Sequence, residues 1–269
     1  MTNPGVWTGL QAFGGAAQAL SLAIYMVLMP PAQAQSLGGA PAAPPPAAEP
    51  ELPASDLLVR YESPALSFRW SLAPEAALEP ALVRALRSDA LATREKSRRD
   101  ADADAKQMPR PGGRPLGYQW IERWTAEAET DLLLSLSSKL TSFTGGAHGN
   151  LSFGSALWDR SAERRIVFAD LFSDPGAALA ALRQPFCKAL DEERLRRRAG
   201  AKLEGYTDCP DLAPYPIVPV GMGSVMALRV LVPPYEAGPW VEGPYEIMLS
   251  ADLVKPYLLP RYAADFANP

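Results

Sequence analysis

The chain contains 269 residues, enough for one large domain or two small ones. Its 26 Lys and Arg residues are set against 30 Asp and Glu residues, which gives a formal net charge of −4 at pH 7. This balance creates no overall field that would attract nucleic acid or an acidic membrane surface, so neither is expected as a partner.

The N-terminal segment has the composition of an export signal. Residues 1–34 contain no Asp, Glu, Lys or Arg, and residues 16–29 form an apolar run as long as the core of a signal peptide. Ala32 and Ala34 stand in the A-x-A arrangement that precedes signal cleavage. The sequence therefore predicts a signal peptide over 1–34 and a periplasmic or secreted location. The alternative is an uncleaved signal anchor, which would be the chain's only membrane contact and would hold it at the inner membrane.

A spacer and a folded domain follow the signal. Residues 35–55 are rich in Ala and Pro, a composition with little to bury and a bias toward extended polyproline II. Apolar periodicity begins at about Asp56 and continues to Tyr262. We therefore expect a linker over 35–55 and one domain over 56–262.

The first predicted elements of this domain are short strands and a helix. Residues 57–70 alternate in two runs separated by Ser63-Pro64, which is typical of a strand or a bent hairpin. Apolar residues then recur at every fourth position, and Pro74 or Pro80 would open the helix. These helical positions are Leu78, Leu82, Leu86 and Ala90. The charged continuation at 94–106 is interpreted as a solvated helix face.

Two alternating segments flank the chain's only histidine. Residues 117–143 and 151–158 predict antiparallel strands, and the octapeptide FTGGAHGN at 143–150 joins them. Its glycines suit a tight or bulged hairpin connection. The hairpin accounts for the glycines but not for His148, which is either a turn residue or part of a recognition surface.

The second half predicts a helix between strands. Residues 175–200 have a helical pattern that is interrupted or kinked near Pro185, and the arginines at 194–198 are interpreted as a solvated helix end. Strands are predicted at 225–235 and 244–250. The resulting fold class is α+β, with a mostly antiparallel sheet packed against two or more helices.

Two cysteines in an exported protein are more often paired than free. Cys187 and Cys209 are therefore predicted to form a disulfide, with two buried thiols as the alternative.

Catalytic motifs are scarce. His148 is the only imidazole base, no serine lies in a G-x-S-x-G elbow, and one histidine with two paired cysteines is a poor zinc ligand set. The sequence thus predicts no catalytic residue, metal or cofactor. A hydrolase would need His148 to meet carboxylates such as Asp170 and Glu236 in one cleft.

Residues 233–246 form a loop in which aromatic residues alternate with Pro and Gly. Rigid aromatic loops favour recognition of a sugar face or a protein, because they lose little entropy on binding. The alternative is a loop that packs its own rings onto the sheet. Together with the histidine loop, it supplies the candidate binding residues Gly145, Gly146, His148, Tyr235, Glu236, Trp240 and Tyr245.

Three motifs occur in order along the domain: TGGAHGN, IVFADLF and LRVLVPPYEAGPWVEGPYEIMLSADL. Over residues 57–260 this pattern resembles a domain-of-unknown-function family found outside the membrane in lysozyme-sensing anti-sigma factors and beside the catalytic domain of some peptidoglycan deacetylases. The resemblance implies a non-enzymatic envelope binding module. Its expected ligand is a peptidoglycan fragment or other cell-wall component, or a secreted protein such as lysozyme. The alternatives are a metal- or carboxylate-dependent hydrolase acting on peptidoglycan, and a lysozyme inhibitor.

Overall fold

Alternating apolar residues produce a large sheet in the computed structural model, which describes residues 56–107 and 117–267. Within those ranges the chain forms nine strands and two α-helices, besides short 3-10 helices. The strands are β1 (Leu58–Glu62), β2 (Leu66–Ser71), β3 (Tyr118–Glu129), β4 (Leu133–Phe143), β5 (Asn150–Asp159), β6 (Arg164–Ile166), β7 (Ile217–Met222), β8 (Ala227–Val232) and β9 (Tyr245–Ser250). The helices are α1 (Pro80–Gln107) and α2 (Pro175–Arg197).

The sheet is mostly antiparallel. Its main path runs β6-β5-β4-β3-β7-β8-β9, with β2 paired to β3 and β1 paired to β2. Only the β2–β3 and β3–β7 pairs are parallel. A parallel neighbour requires a crossover connection, and α1 lies in the connection from β2 to β3. The predicted α+β class, with helices packed on an antiparallel sheet, is confirmed.

Each helix covers its own part of the sheet. Leu82, Leu86 and Ala90 of α1 are buried against a cluster that contains Phe68 and Trp70. Leu78 was expected on the same helical face but is 76% exposed, because it lies in a 3-10 turn that ends before α1 begins.

The second core forms around α2. Phe186, Leu182 and Leu190 are fully buried against strands that include Val230 and Tyr245. The chain is helical through Pro185 without the predicted break. Asp174 caps this helix by accepting a hydrogen bond from the Ala177 amide at 2.9 Å.

The predicted disulfide is present. The sulfur atoms of Cys187 and Cys209 are bonded at 2.00 Å, and the bond joins α2 to the loop that follows it. The predicted signal segment at 1–34 and linker at 35–55 lie outside the described residues. None of the helices in ranges 56–107 and 117–267 combines the length and hydropathy that a membrane span needs.

Candidate functional site

The histidine loop is a glycine-built hairpin connection, as predicted. β4 and β5 pair up to Ser142 and Asn150, which stand opposite each other at its base. Gly145 and Gly146 have φ values of 102° and 103°, which side chains disfavour. A Cβ at Gly149 would lie 2.9 Å from the Ser142 carbonyl oxygen. The loop geometry therefore depends on its glycines.

The second loop, residues 233–246, connects β8 to β9 and is called the recognition loop below. Its backbone makes a tight turn in which the Tyr235 amide donates to the Gly238 carbonyl at 2.9 Å. Tyr235 has a φ of 73°, which is rare for a bulky residue. Such a conformation persists only where surrounding contacts hold it.

The two loops meet through three aromatic side chains, His148, Tyr235 and Trp240, which we call the aromatic cluster. The His148 ring stacks on Trp240 with centroids 4.4 Å apart and planes 16° apart. His148 Nε2 lies 3.0 Å from the Tyr235 hydroxyl, although 87 positions separate the two residues. The alternative in which the recognition loop packs its rings onto its own sheet holds only in part, because two of them contact the histidine loop instead.

For a neutral His148 ring, the hydrogen-bond partners decide which ring nitrogen carries the hydrogen. Nδ1 lies 2.7 Å from the Gly149 carbonyl oxygen, which can only accept, so Nδ1 carries the hydrogen. Nε2 then accepts from the Tyr235 hydroxyl. Since both nitrogens are engaged, the ring has no free lone pair for a metal ion in this arrangement. Over residues 56–107 and 117–267, no group of three or more His, Cys, Asp or Glu side chains is placed to hold one.

The aromatic cluster faces solvent. His148 is exposed, Tyr235 is 52% exposed and Trp240 is partly exposed. Val241, on the same 3-10 turn as Trp240, is 88% exposed. The cluster therefore presents an accessible apolar surface with hydrogen-bonding groups at its centre.

The remaining candidate residues have different surroundings. Tyr245 is fully buried in the core around α2, so its side chain is not available to a ligand. Glu236 is exposed and accepts a hydrogen bond from Tyr215 at 3.2 Å. Burial, with Glu236 nearby, raises the pKa of Tyr215 to about 12.

Three arginines at the end of α2 hold the recognition loop from beneath; we call Arg194, Arg197 and Arg198 the arginine clamp. Arg194 Nε donates to the Ala237 carbonyl at 2.9 Å, and Arg198 donates to the same oxygen at 3.3 Å. Arg197 donates to the Glu242 and Pro244 carbonyls at 2.7 and 2.8 Å. Its guanidinium carbon also lies 4.0 Å from the centroid of the Tyr245 ring.

The prediction of a solvated arginine cluster is therefore wrong for Arg194 and Arg198, two of its four members. The side chains of Arg194 and Arg198 are only 4% and 8% exposed, whereas Arg196 is 75% exposed as expected. Local pairs such as Glu193 with Arg197 do form, at 2.7 Å. The sequence pattern of α2 does not show that its C-terminal end lies next to a loop whose backbone carbonyl groups accept hydrogen bonds from the arginine clamp.

Glu242 connects the clamp to the buried tyrosine. Its carboxylate accepts from Arg198 Nε and Nη2 at 2.8 and 2.9 Å and from the Tyr245 hydroxyl. The hydrogen bonds from Arg198 hold the pKa of Glu242 below its usual value. Burial, and then the Glu242 anion, raise the pKa of Tyr245. A Cβ at Gly238 would overlap this carboxylate, so a side chain there would have to displace it from its position beside Arg198.

The groups that a hydrolase would need are engaged separately. The Asp170 carboxylate accepts from the Val167 amide of its own turn at 2.9 Å, and Glu236 is bound by Tyr215. His148 bonds to Tyr235 and Gly149. In the described part of the chain, none of these three groups hydrogen-bonds to another.

No family model and no curated protein matches the chain. Among solved structures, it resembles a DUF3298 family protein from Pseudomonas aeruginosa with a TM-score of 0.45 and 17% identity, over 76% of this chain and 87% of that one. A DUF3298 family member from Bacteroides fragilis resembles it with a TM-score of 0.42 and 16% identity, over 74% of this chain and 85% of that one. These values are too low to assign a family or a function.

Proposed function

We propose that this protein is a non-enzymatic binding module of the cell envelope, and that the aromatic cluster is its recognition surface. The proposal rests on one observation. His148, Tyr235 and Trp240 come from two loops far apart in the sequence and meet at an exposed position.

The physical reason is preorganisation. Aromatic rings that are already stacked and hydrogen-bonded lose little conformational entropy when a ligand covers them. The positive φ of Tyr235 costs free energy, and such conformations concentrate at ligand-binding sites. The arginine clamp and Glu242 hold the loop before any ligand arrives.

The ligand class follows from the surface and from the sequence resemblance. A partly exposed indole beside a hydroxyl and an imidazole suits the apolar face and hydroxyl groups of a saccharide, such as a peptidoglycan fragment. The same features suit an anchor on a secreted protein such as lysozyme. Both ligands are consistent with the export that the N-terminal segment predicts.

Lysozyme inhibition is a second candidate, favoured by the shape of the recognition loop. Val241 projects into solvent at 88% exposure from a turn that Arg197 fixes through the Glu242 carbonyl. A rigid, protruding loop of this kind is what an inhibitor inserts into an enzyme cleft. No catalytic residue is needed for it.

The test is calorimetric binding of the purified chain to c-type lysozyme and, separately, to soluble peptidoglycan fragments. Trp240→Ala should weaken binding of the true ligand at least about tenfold, because central aromatic anchors contribute more than about 1.4 kcal/mol. His148→Ala should have a smaller effect in the same direction.

Val167→Ala, an exposed apolar residue on a 3-10 turn elsewhere, is the matched control and should bind like the wild type. Equal affinity of the Trp240 and Val167 variants would remove the aromatic cluster as the binding surface. If lysozyme binds, measuring its activity in the complex separates an inhibitor, which lowers the activity, from a sensor, which does not.

A further inference from the structure

The disulfide is partly exposed to solvent, and it is anchored on α2, the helix that carries the arginine clamp at its end. Cys187 is in the middle of α2, and Cys209 is in residues 199–216, which we call the tether loop. Both cysteines are only partly buried. Between Ala199 and Pro216 the chain forms no helix or strand, and the covalent bond is one restraint on this segment, besides the buried side chains of Leu212 and Tyr215.

The tether loop supplies hydrogen-bond acceptors to the arginine clamp. Arg194 Nη1 donates to the Asp208 carbonyl at 3.0 Å, next to Cys209 in the sequence. Arg198 Nη1 donates to the Tyr206 carbonyl at 3.3 Å. The same two guanidinium groups donate to Ala237 in the recognition loop. Each therefore bridges the tether loop and the recognition loop.

A second connection runs directly between the loops. Tyr215, near the end of the tether loop, is buried and donates to Glu236, the residue after Tyr235. The recognition loop is thus tied to the tether loop through Glu236 and Ala237, two neighbouring residues inside the turn that the Tyr235 amide closes with the Gly238 carbonyl.

We propose that the Cys187–Cys209 disulfide is a redox control of the recognition loop, so that its reduction loosens the aromatic cluster and weakens ligand binding. The binding part of this inference rests on the proposed function. The reductant is a dithiol. One of its thiolates attacks a cystine sulfur, the S–S bond breaks, and the second thiol releases the first as the reductant's own disulfide. Two electrons and two protons pass to the protein, which then carries two thiols.

Reduction removes the covalent restraint on the tether loop without removing any side chain of the arginine clamp. The carbonyls of Tyr206 and Asp208 then move with the freed segment, and the guanidinium groups lose fixed acceptors on that side. Coupling between two sites of a protein is usually worth a factor of about 5 to 150 in affinity, and we expect ligand affinity to fall within that range.

Hydrogen exchange of the whole purified chain, oxidised and after treatment with dithiothreitol, tests the coupling without needing a ligand. We expect faster amide exchange in residues 201–211 and also in 233–246, by a larger factor than in β4, whose exchange reports the loss of global stability. Cys187→Ser with Cys209→Ser should reproduce the reduced pattern and should not respond further to the reductant. Thr207→Ala, in the tether loop with the disulfide intact, should resemble the oxidised wild type.

Faster exchange in 201–211 with no change in 233–246 would overturn the inference, as would no change in either segment. Acceleration by the same factor in β4 as in 233–246 would also overturn it, since the disulfide would then act on global stability alone. The same samples, titrated with lysozyme and peptidoglycan fragments, report on binding. If the oxidised protein binds neither, the proposed function fails, while the exchange result still decides the coupling.

Discussion

The charged ends of the two helices have similar composition but different surroundings. In α1 the charged stretch forms ion pairs along its own surface, such as Lys96 with Asp100 at 2.7 Å and Arg98 with Asp102 at 2.9 Å. In the corresponding stretch at the end of α2, Arg196 is exposed whereas the side chains of Arg194 and Arg198 are buried. Arg194 and Arg198 bind carbonyl groups 39 or more positions away, in the recognition loop.

This difference shows that the pattern of charged residues on a helix does not by itself decide whether they form surface ion pairs or bind another segment of the chain. Exposed pairs at i,i+4 contribute little, because water and side-chain entropy compete with the attraction. Buried guanidinium groups that satisfy several carbonyls define one loop geometry, and removing one leaves buried acceptors unpaired. The candidate site is held by the second kind of interaction.

The largest effect is expected for Arg198→Met, which leaves the mostly buried Glu242 carboxylate without its cation. The free energy of unfolding should fall by about 3–5 kcal/mol, measured by urea denaturation. Adding Glu242→Leu should restore much of the loss, because no unpaired charge then remains. A loss of stability below about 1 kcal/mol for the single variant would mean that Arg198 contributes no more than an exposed arginine does.

Removing the disulfide should have the next largest effect. Cys187 and Cys209 are 22 positions apart, and opening a loop of that length costs about 3 kcal/mol in the chain-entropy model. The Cys187→Ser, Cys209→Ser variant should show this loss in urea denaturation compared with the oxidised protein. Equal stability would mean that the tether loop is held by its other contacts alone.

Gly238→Ala tests the fit between the recognition loop and the arginine clamp. The added methyl group would overlap the Glu242 carboxylate, and overpacking of this kind costs about 1–3 kcal/mol. Gly176→Ala is the matched control, since its Cβ would have only the Asp174 carboxylate oxygen at 3.5 Å and lies in the first turn of α2. Thermal denaturation should separate the two, and a control that loses as much as Gly238→Ala would contradict the assigned fit.

The ion pair also predicts a pH dependence. Hydrogen bonds from Arg198 lower the folded-state pKa of Glu242 below its unfolded value of about 4.3. The pair therefore stabilises fully above that value and is lost as the pH falls through the folded-state pKa. Glu242→Gln should flatten the stability curve in this acidic window, as measured by urea denaturation between about pH 2 and 5. An unchanged slope would contradict the ion pair.

The smallest effect is expected for Lys96→Ala on α1. Its ion pair with Asp100 is mostly exposed, so the free energy of unfolding should change by no more than about 0.5 kcal/mol. The same denaturation assay measures it. A larger loss would mean that the two helix ends are more alike than their contacts indicate.

Sequence patterns predicted the elements that repeat with a local period. Alternation predicted strand structure in residues 117–143 and 151–158, where β3, β4 and β5 form, but not the turn between Glu129 and Leu133 that separates β3 from β4. Fourfold spacing predicted the buried positions Leu82, Leu86 and Ala90 of α1. The Cys187–Cys209 disulfide was predicted from the expected export of the chain and from its having two cysteines. Local patterning failed at Leu78, where the helix start lies later than the apolar spacing indicated.

By itself, the sequence determined the α+β class, the antiparallel hairpin around the histidine loop and the two loops that carry the candidate residues. Only the tertiary structure decided that His148 stacks on Trp240 and bonds to Tyr235, that Tyr245 is buried, and that Arg194 and Arg198 face inward. The reason is the sequence separation of the residues involved. Alternation and helical spacing depend on neighbours within a few positions. The contacts of the recognition loop with the histidine loop and with the end of α2 join residues 39 to 92 positions apart, and their meeting depends on the packing of the whole sheet.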